Sequence, residues 1–458
     1  MRLAIRTDFV LGIALWAGAA GSARGDDWPQ WLGPQRDSVW REQGIVDKFP
    51  EDGLKVRWRT PIGGGYAGPA VAGGRVYVTD RVLGDESQNP ANQFERGNSV
   101  GVERVLCLGE ADGKLLWKHE YPCRYTISYP AGPRTTPVVA DGKVYTLGAE
   151  GHLICLEAET GKVVWSHDFQ QEYGIQSAVW GFSSNPLLDG KKLICLAGGE
   201  GTAVLAFDKD SGQEVWRALS SRGGHGPGYG SPIIAEAGGR RQLIVWHTEA
   251  VSSLDPENGR VFWEQPFRIQ NGQTVPTPRQ QGEQLFVTGF YDGSMMLRLD
   301  RDRPAASVTW QRKGQSERNT DALHSIMCTP FLEDGYIYGV CSYGQLRCLR
   351  ADTGDRLWET FQATGAAGNG TDRWATAFIV KNSDRFFLFN EKGDLIIAKL
   401  SPKGYEEISR AHILEPTNTA QRRNVVWSHP AFANQCVYAR NDEEIVCISL
   451  AASENKNK

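Results

Sequence analysis

Five times in this 458-residue chain a glycine is followed four residues later by a tryptophan: Gly113/Trp117, Gly161/Trp165, Gly212/Trp216, Gly259/Trp263 and Gly354/Trp358. Trp310 extends the series, although its turn, Arg303-Pro304-Ala305-Ala306, lacks the glycine; successive tryptophans then stand 47 to 51 residues apart. A period in the range of about 20 to 50 residues marks a repeat architecture. Trp58 lies further before Trp117, the excess being a polar insertion from roughly Gly84 to Arg104. After Trp358 the period leads to Ile408, four residues beyond Gly404, a degenerate seventh member. Ser428 to Leu450 reads as three more strands, and the N-terminal strand Lys55 to Pro61, carrying Trp58, supplies their fourth. Such closure removes the free sheet edges on which other chains could pair.

Within a unit the pattern is four short strands. In the second they are Thr136 to Val139, Lys143 to Leu147, His152 to Leu156 and Lys162 to Trp165, separated by Asp141-Gly142, Glu150-Gly151 and Thr160-Gly161. β-branched and apolar runs between turn residues are strands rather than helices. The expected fold is therefore all-β, an eight-bladed β-propeller of four-stranded antiparallel blades, its ring closed by pairing the N-terminal strand with the C-terminal blade.

The segments Cys155-Leu156-Glu157-Ala158-Glu159-Thr160-Gly161-Lys162-Val163-Val164-Trp165 and Cys348-Leu349-Arg350-Ala351-Asp352-Thr353-Gly354-Asp355-Arg356-Leu357-Trp358 closely resemble the tryptophan-docking repeat of the pyrroloquinoline-quinone-like (PQQ-like) propeller family. The resemblance covers nearly all of residues 55 to 450. It implies that each tryptophan packs on the neighbouring blade, so these rings belong to the scaffold.

Four segments are expected: a signal peptide over 1–25, a Trp- and Pro-rich strap over 26–54, the propeller over 55–451 and a polar tail over 452–458. Arg2 and Arg6 precede an apolar stretch from Phe9 to Ala20, and Ala23-Arg24-Gly25 offers a small-residue cleavage site, which together read as a secretory leader. The expected location is periplasmic or secreted, with no lipid-attachment cysteine near the cleavage site. Net charge is −4 with both signs interspersed, which gives no case for nucleic acid. No segment reaches the length of a transmembrane span, and a monomer is expected. The nine cysteines are expected to be mainly reduced core residues. Cys107, Cys155, Cys348 and Cys447 recur at one place in their blades, filled by Ala206, Ser253 and Ala398 elsewhere. Equivalent places around a ring lie too far apart for the roughly 4.4 to 6.8 Å between Cα atoms that a disulfide needs.

Function is sought where the blades do not repeat. In this family's layout the loops entering the inner strands surround one mouth of the central channel. Aligning the inner strands on their proline places Tyr66, Arg134, Ser183, Tyr229, Val275, Met327, Trp374 and Trp427 three residues upstream. Trp180, His225, His324, Asn369, Arg373 and His429 fall in the same loops, with Asp372, Arg422 and Arg423 beside them. Aromatic faces with cationic and amide groups around a concavity suit a planar, anionic or carbohydrate-like ligand. The alternative is that the aromatics merely plug the channel. The histidines form no sequence-local metal motif.

Resemblance to the quinoprotein dehydrogenases of this fold implies PQQ and calcium in the funnel, a carboxylate base and a disulfide between adjacent cysteines. This chain has no Cys-Cys pair, and no motif places the calcium ligands. No catalytic residue and no metal ligand is assigned. The other implied class is a binding scaffold, like the accessory propeller of the outer-membrane barrel-assembly machinery, with a protein or small-molecule partner. The prefix Asp27 to Asp37 also looks like secreted quinone-repeat proteins of unassigned role. Its tryptophans either strap a ring face or form an exposed partner site.

Overall fold

The computed structural model describes residues 26–221 and 226–452. The expected signal peptide, nearly all of the polar tail and His225 lie outside the described residues. The described residues form eight four-stranded antiparallel sheets and one two-stranded hairpin, Asn418–Ala420 with Arg423–Val425. Blade 2 shows the plan: Val138–Ala140, Lys143–Leu147, His152–Glu157 and Val163–Asp168, within three residues of the sequence expectation at each boundary. Blades 1 and 3 to 7 run in chain order from the inner strand Ala70–Ala72 to the outer strand Gly404–His412. Blade 8 comprises Ala431–Ala433, Cys436–Arg440, Glu444–Ser449 and, outermost, Lys55–Pro61. Lys55 opposes Ser449 and Pro61 opposes Glu444, so the two ends of the propeller chain share one blade.

The seams explain the glycine-to-tryptophan spacing. In every blade that carries the ring except blade 4, the indole N–H reaches a carbonyl in the turn of the following blade: Trp58 to Glu110 at 2.8 Å, Trp117 to Ala158 at 3.1 Å, Trp165 to Lys209 at 3.1 Å and Trp216 to Pro256 at 3.2 Å. Trp310 and Trp358 do the same with Ala351 and Ser401, both at 2.8 Å. The repeat's glycine thus serves the tryptophan of the preceding blade. At Gly161, with φ +72°, an added Cβ would stand 2.4 Å from Trp117 Cε3. Only glycine takes this left-handed conformation freely while leaving the ring room to lie on the turn. Blade 5 lacks that glycine, and the ring that should dock there, Trp263, donates instead to Gln242 Oε1 of its own blade at 2.8 Å.

A β-bulge precedes the tryptophan in every blade. Leu116, Val164, Val215 and their equivalents fall out of register, sharpening the twist where the outer strand turns its ring toward the neighbour. This register corrects the reading of blade 7 by one residue. Ile397 pairs with Ser409 and Ala398 with Glu407, so Ile408 is the bulge residue and Ser409 stands where the tryptophan would be. The inner partner at the recurrent cysteine place is correspondingly Ile397, not Ala398. The space is taken from elsewhere: the Phe49 N–H donates to Ser409 Oγ at 3.1 Å, and its ring is buried in the blade 7–8 cluster with Ile408 against it.

The segment before the propeller lies against the ring. Trp28 and Trp40 are 2% and 1% exposed, and the N–H and C=O of Trp28 exchange hydrogen bonds with Val71 of blade 1 at 2.8 and 2.9 Å. Pro29 O accepts from Val139 of blade 2, the Arg36 guanidinium donates to Pro186 O and Pro232 O, and Trp40 pairs with Lys381 of blade 7. The segment therefore crosses one end of the channel, satisfying inner-strand groups of blades that are distant in sequence. All nine cysteines are buried and unbonded to one another. No helix among the described residues is long and apolar enough to cross a membrane.

Candidate functional site

Above this floor the channel opens into a cavity of about 160 Å³ that is continuous with solvent at the mouth. Tyr66, Arg134, Trp180, Tyr229, Trp374, Trp427 and His429 line it. They come together because each sits just before or at the start of an inner strand, and the inner strands converge on the axis. Belts of interblade bonds hold these starts in place, such as Thr136 N–H to Asn185 Oδ1 at 2.7 Å and Thr277 N–H to Thr329 Oγ1 at 3.1 Å.

The wall is a set of aromatic faces. Trp374 lies 6.3 Å from Trp427 and 5.9 Å from Phe290, centroid to centroid; Tyr129 lies 6.0 Å from Trp427, and Trp180 meets Tyr229 edge-on at 5.6 Å. Phe94, from the insertion in blade 1, reaches across the mouth to within 5.2 Å of Tyr129 and 5.5 Å of Trp374. The Ser128 hydroxyl and Tyr129 N–H, bonded to the Phe94 and Gln93 carbonyls, hold the insertion there.

Arg134 is the cation of the wall. Its guanidinium lies 5.2 Å over the Tyr66 ring and donates to the carbonyls of Gly132, Ser128 and Tyr129. Among the described residues no carboxylate pairs with it, and no Asp or Glu lines the cavity. His429 is neutral: burial lowers it to about 4, while its Nδ1–H donates to Pro430 O at 2.7 Å and leaves Nε2 as an acceptor. The hydroxyls of Tyr66 and Tyr129, Trp374 Nε1 and Gln273 Oε1 are buried without a hydrogen-bond partner, which is costly unless something else satisfies them.

The remaining residues singled out in the sequence are placed elsewhere. Arg373 stands behind the wall, stacked 4.8 Å over Trp374 and bonded to Glu317 and the Tyr291 hydroxyl, both at 2.8 Å. His324 is fully buried in a seam, with Nδ1–H on Phe290 O at 2.9 Å and Nε2 accepting from Gly314 N–H at 3.2 Å; it is not brought to the cavity. Asn369 is exposed and caps its own turn, accepting from the Thr371 N–H and hydroxyl. Sequence reasoning missed Trp31, whose indole N–H bonds Thr277 Oγ1 at 3.0 Å on the cavity floor, and Tyr129, Asn185, Ser231, Gln273 and Phe378. The Thr-Thr-Pro and Ser-Asn-Pro pattern before the inner-strand prolines was the available signal for the polar belt.

Trp427 also anchors a buried charge. Its indole N–H donates to Glu391 Oε2 at 2.9 Å, and Arg423 Nε donates to Oε1 at 2.7 Å. Burial pushes the Glu391 carboxyl up, against Arg423 and Trp427, which favour its ionised form. No group of three or more His, Cys, Asp or Glu among the described residues is arranged to hold a metal ion.

Eight blades seamed by tryptophans, closed through the chain ends and enclosing an aromatic channel, define a propeller of the PQQ-like repeat class. The model of the family described as outer membrane protein assembly factor BamB matches residues 101–360 and again 302–458, and the chain belongs to that family. Among solved structures, BamB from Moraxella catarrhalis superposes with a TM-score of 0.52 at 16% identity, over 81% of this chain and 98% of that one. Quinohemoprotein alcohol dehydrogenase from Comamonas testosteroni gives 0.61 at 13% identity, over 96% and 82%. The computationally designed Ika8 protein gives 0.55 at 10%, over 86% and 100%. These likenesses establish the fold. No curated protein matches the sequence significantly.

Proposed function

We propose that this chain is an exported binding propeller that holds a small planar or carbohydrate-like anionic ligand between the aromatic mouth and the N-terminal floor. The observation that carries the reading is Arg134, a permanent cation set in an aromatic wall with no carboxylate partner. A guanidinium whose acceptors are three neutral carbonyls retains its charge for an incoming anion. Stacking on Tyr66, Trp374 and Trp427 supplies the contact area, and the buried unpaired polar atoms orient the ligand. Periplasmic or secreted location belongs to this reading through the N-terminal leader. Membership of a family described as an assembly factor supports a protein partner on the outer rim as a complementary role.

The second reading is a PQQ- and calcium-dependent dehydrogenase. The aromatic faces and Arg134 suit a flat, anionic quinone. The rest of the donor set does not fit: calcium takes about six to eight oxygen ligands in which carboxylates dominate, and the cavity wall supplies neither these nor a carboxylate base. The binding reading is therefore preferred and no catalytic step is assigned.

Tryptophan fluorescence titration with PQQ, with and without calcium, and with 2-naphthoate and 2-naphthol tests both readings. Saturable binding of an aromatic anion, weakened about ten-fold in Arg134→Met, is expected. Absence of saturable binding by every probe overturns the cavity reading. Calcium-dependent PQQ binding with dye-coupled alcohol oxidation overturns the preference for binding over catalysis.

A further inference from the structure

We propose that the rim of the mouth where the loops entering blades 7 and 8 meet Tyr129 of the blade 1–2 loop is an oxyanion subsite, in which Trp374, Arg373, Gln421, Arg423 and Tyr129 present N–H and O–H groups to a carboxylate, phosphate or sulfate. It builds on the cavity reading, since Trp374 and Tyr129 line the cavity as well, and it assigns the charged group that a ligand there would carry.

The first observation is what these residues leave unpaired. Trp374 Nε1, Arg373 Nε and Arg423 NH1 are buried without a hydrogen-bond partner, and Gln421 Nε2 and the Tyr129 hydroxyl, likewise buried, have only each other to face. Four of the five atoms can only donate, and the hydroxyl can. Trp374 and Tyr129 are 3% and 5% exposed, so water does not satisfy them freely. Buried donors in such a concentration call for an acceptor with several lone pairs, which an oxyanion is.

The second observation is that they belong to one locus. The Arg373 guanidinium stacks 4.8 Å over Trp374, Arg423 NH2 donates to Arg373 O at 2.8 Å, and the Tyr129 and Trp374 rings are 6.1 Å apart. Burial pushes the Tyr129 hydroxyl up to about 12, opposed by the Gln421 side chain and by the charges of Arg373 and Arg423.

The third is the backbone that holds them. Tyr129, Trp374, Gln421 and Arg422 have φ of +54°, +67°, +51° and +66°. Gln421 and Arg422 form the two-residue tip of the hairpin Asn418–Ala420 with Arg423–Val425, a turn that ordinarily selects Asn-Gly or Gly. Left-handed geometry in residues with large side chains is unfavourable and persists where the surrounding structure holds the side chain in place. The charges at the rim are largely paired, Arg373 with Glu317 at 2.8 Å and Arg423 with Glu391 at 2.7 Å, while Arg422 is exposed. Selectivity for an oxyanion thus comes from directed donors more than from net charge.

The test uses the full protein labelled with 15N-tryptophan, the Trp374 indole resonance being assigned by its loss in Trp374→Phe. Sodium sulfate, phosphate and acetate are titrated at constant ionic strength, with chloride as the control. A saturable downfield shift of the Trp374 N–H with one or more oxyanions is expected, with chloride inert. Gln421→Glu, which puts an anion among the donors, is expected to weaken the oxyanion about ten-fold, and Tyr129→Phe less. The inference is overturned if no oxyanion moves the resonance, if chloride moves it equally, or if Gln421→Glu leaves the affinity unchanged. The aromatic probes report on the cavity: their binding without an oxyanion shift removes only this inference, and an oxyanion shift with no aromatic probe bound removes only the cavity reading.

Discussion

The ring of Trp216 rests on Gly259 of the following blade so closely that a Cβ there would lie 2.6 Å from Trp216 Cε3, while the indole N–H bonds Pro256 O at 3.2 Å. Gly259→Ala must therefore strain a backbone at φ +74° and also displace the ring. A loss of about 2 to 4 kcal/mol is expected. Gly142→Ala, at φ +73° with nothing near its added methyl, bears only the backbone part, about 1 kcal/mol. Urea unfolding of the two variants separates the terms; equal midpoints would refute the docking account.

The seam between blades 7 and 8 depends on a residue outside the repeat. Ser409 holds the tryptophan position, and Phe49 fills the space. Phe49→Ala is expected to cost about 3 kcal/mol through the cavity it leaves. Ser409→Trp in the presence of Phe49 should not stabilise the protein, because the two rings compete for one volume. In Phe49→Ala the same substitution is expected to recover part of the loss in the same unfolding experiment; no recovery would refute a shared volume.

A neutral His429 is required by its burial. Its folded-state value near 4 lies below the ordinary 6.5, so the unfolded chain binds a proton more readily between these limits. Stability from this group is complete above about pH 6.5 and is lost as pH falls toward 4, by about 3 kcal/mol in total. His429→Gln should flatten this part of the stability profile between pH 7 and 4. An unchanged slope would show that the histidine does not titrate with unfolding.

The thiols give a simple count. With all nine cysteines buried and free of disulfides, none is expected to react with Ellman's reagent in the folded protein and nine in denaturant. Fewer than nine after denaturation without reductant would reveal disulfides.

Blade number and strand order were legible because each blade's turn and ring are encoded within one period. The cavity residues found by aligning on the inner-strand prolines, such as Tyr66, Arg134, Trp374 and Trp427, were legible for the same reason. Trp31 was not, since its place on the floor depends on a bond to Thr277, far along the chain. Phe94 sits in an insertion to which the period does not apply. His324 shares the loop position of the wall residues, but its two nitrogens are satisfied inside a seam by Phe290 and Gly314. In blade 7 the spacing from Gly404 pointed to Ile408, and only the strand pairing revealed Ser409 in the ring's place.

The shared eighth blade sets the order in which the molecule can be completed. Lys55 to Pro61 precedes every other strand among the described residues, yet its partner Glu444 to Ser449 is the last of them. Until then blade 1 has no neighbour on one side, the Phe49 seam is open, and the floor has only some of its inner strands to bind. Propeller closure is thus a late, long-range event, expected to be slow because the loop entropy is paid before the last contacts form. Deleting Lys55 to Pro61 removes the outer strand of the eighth blade and deleting Glu444 to Ser449 removes the strand that holds it, so losses far apart in sequence should weaken the same blade.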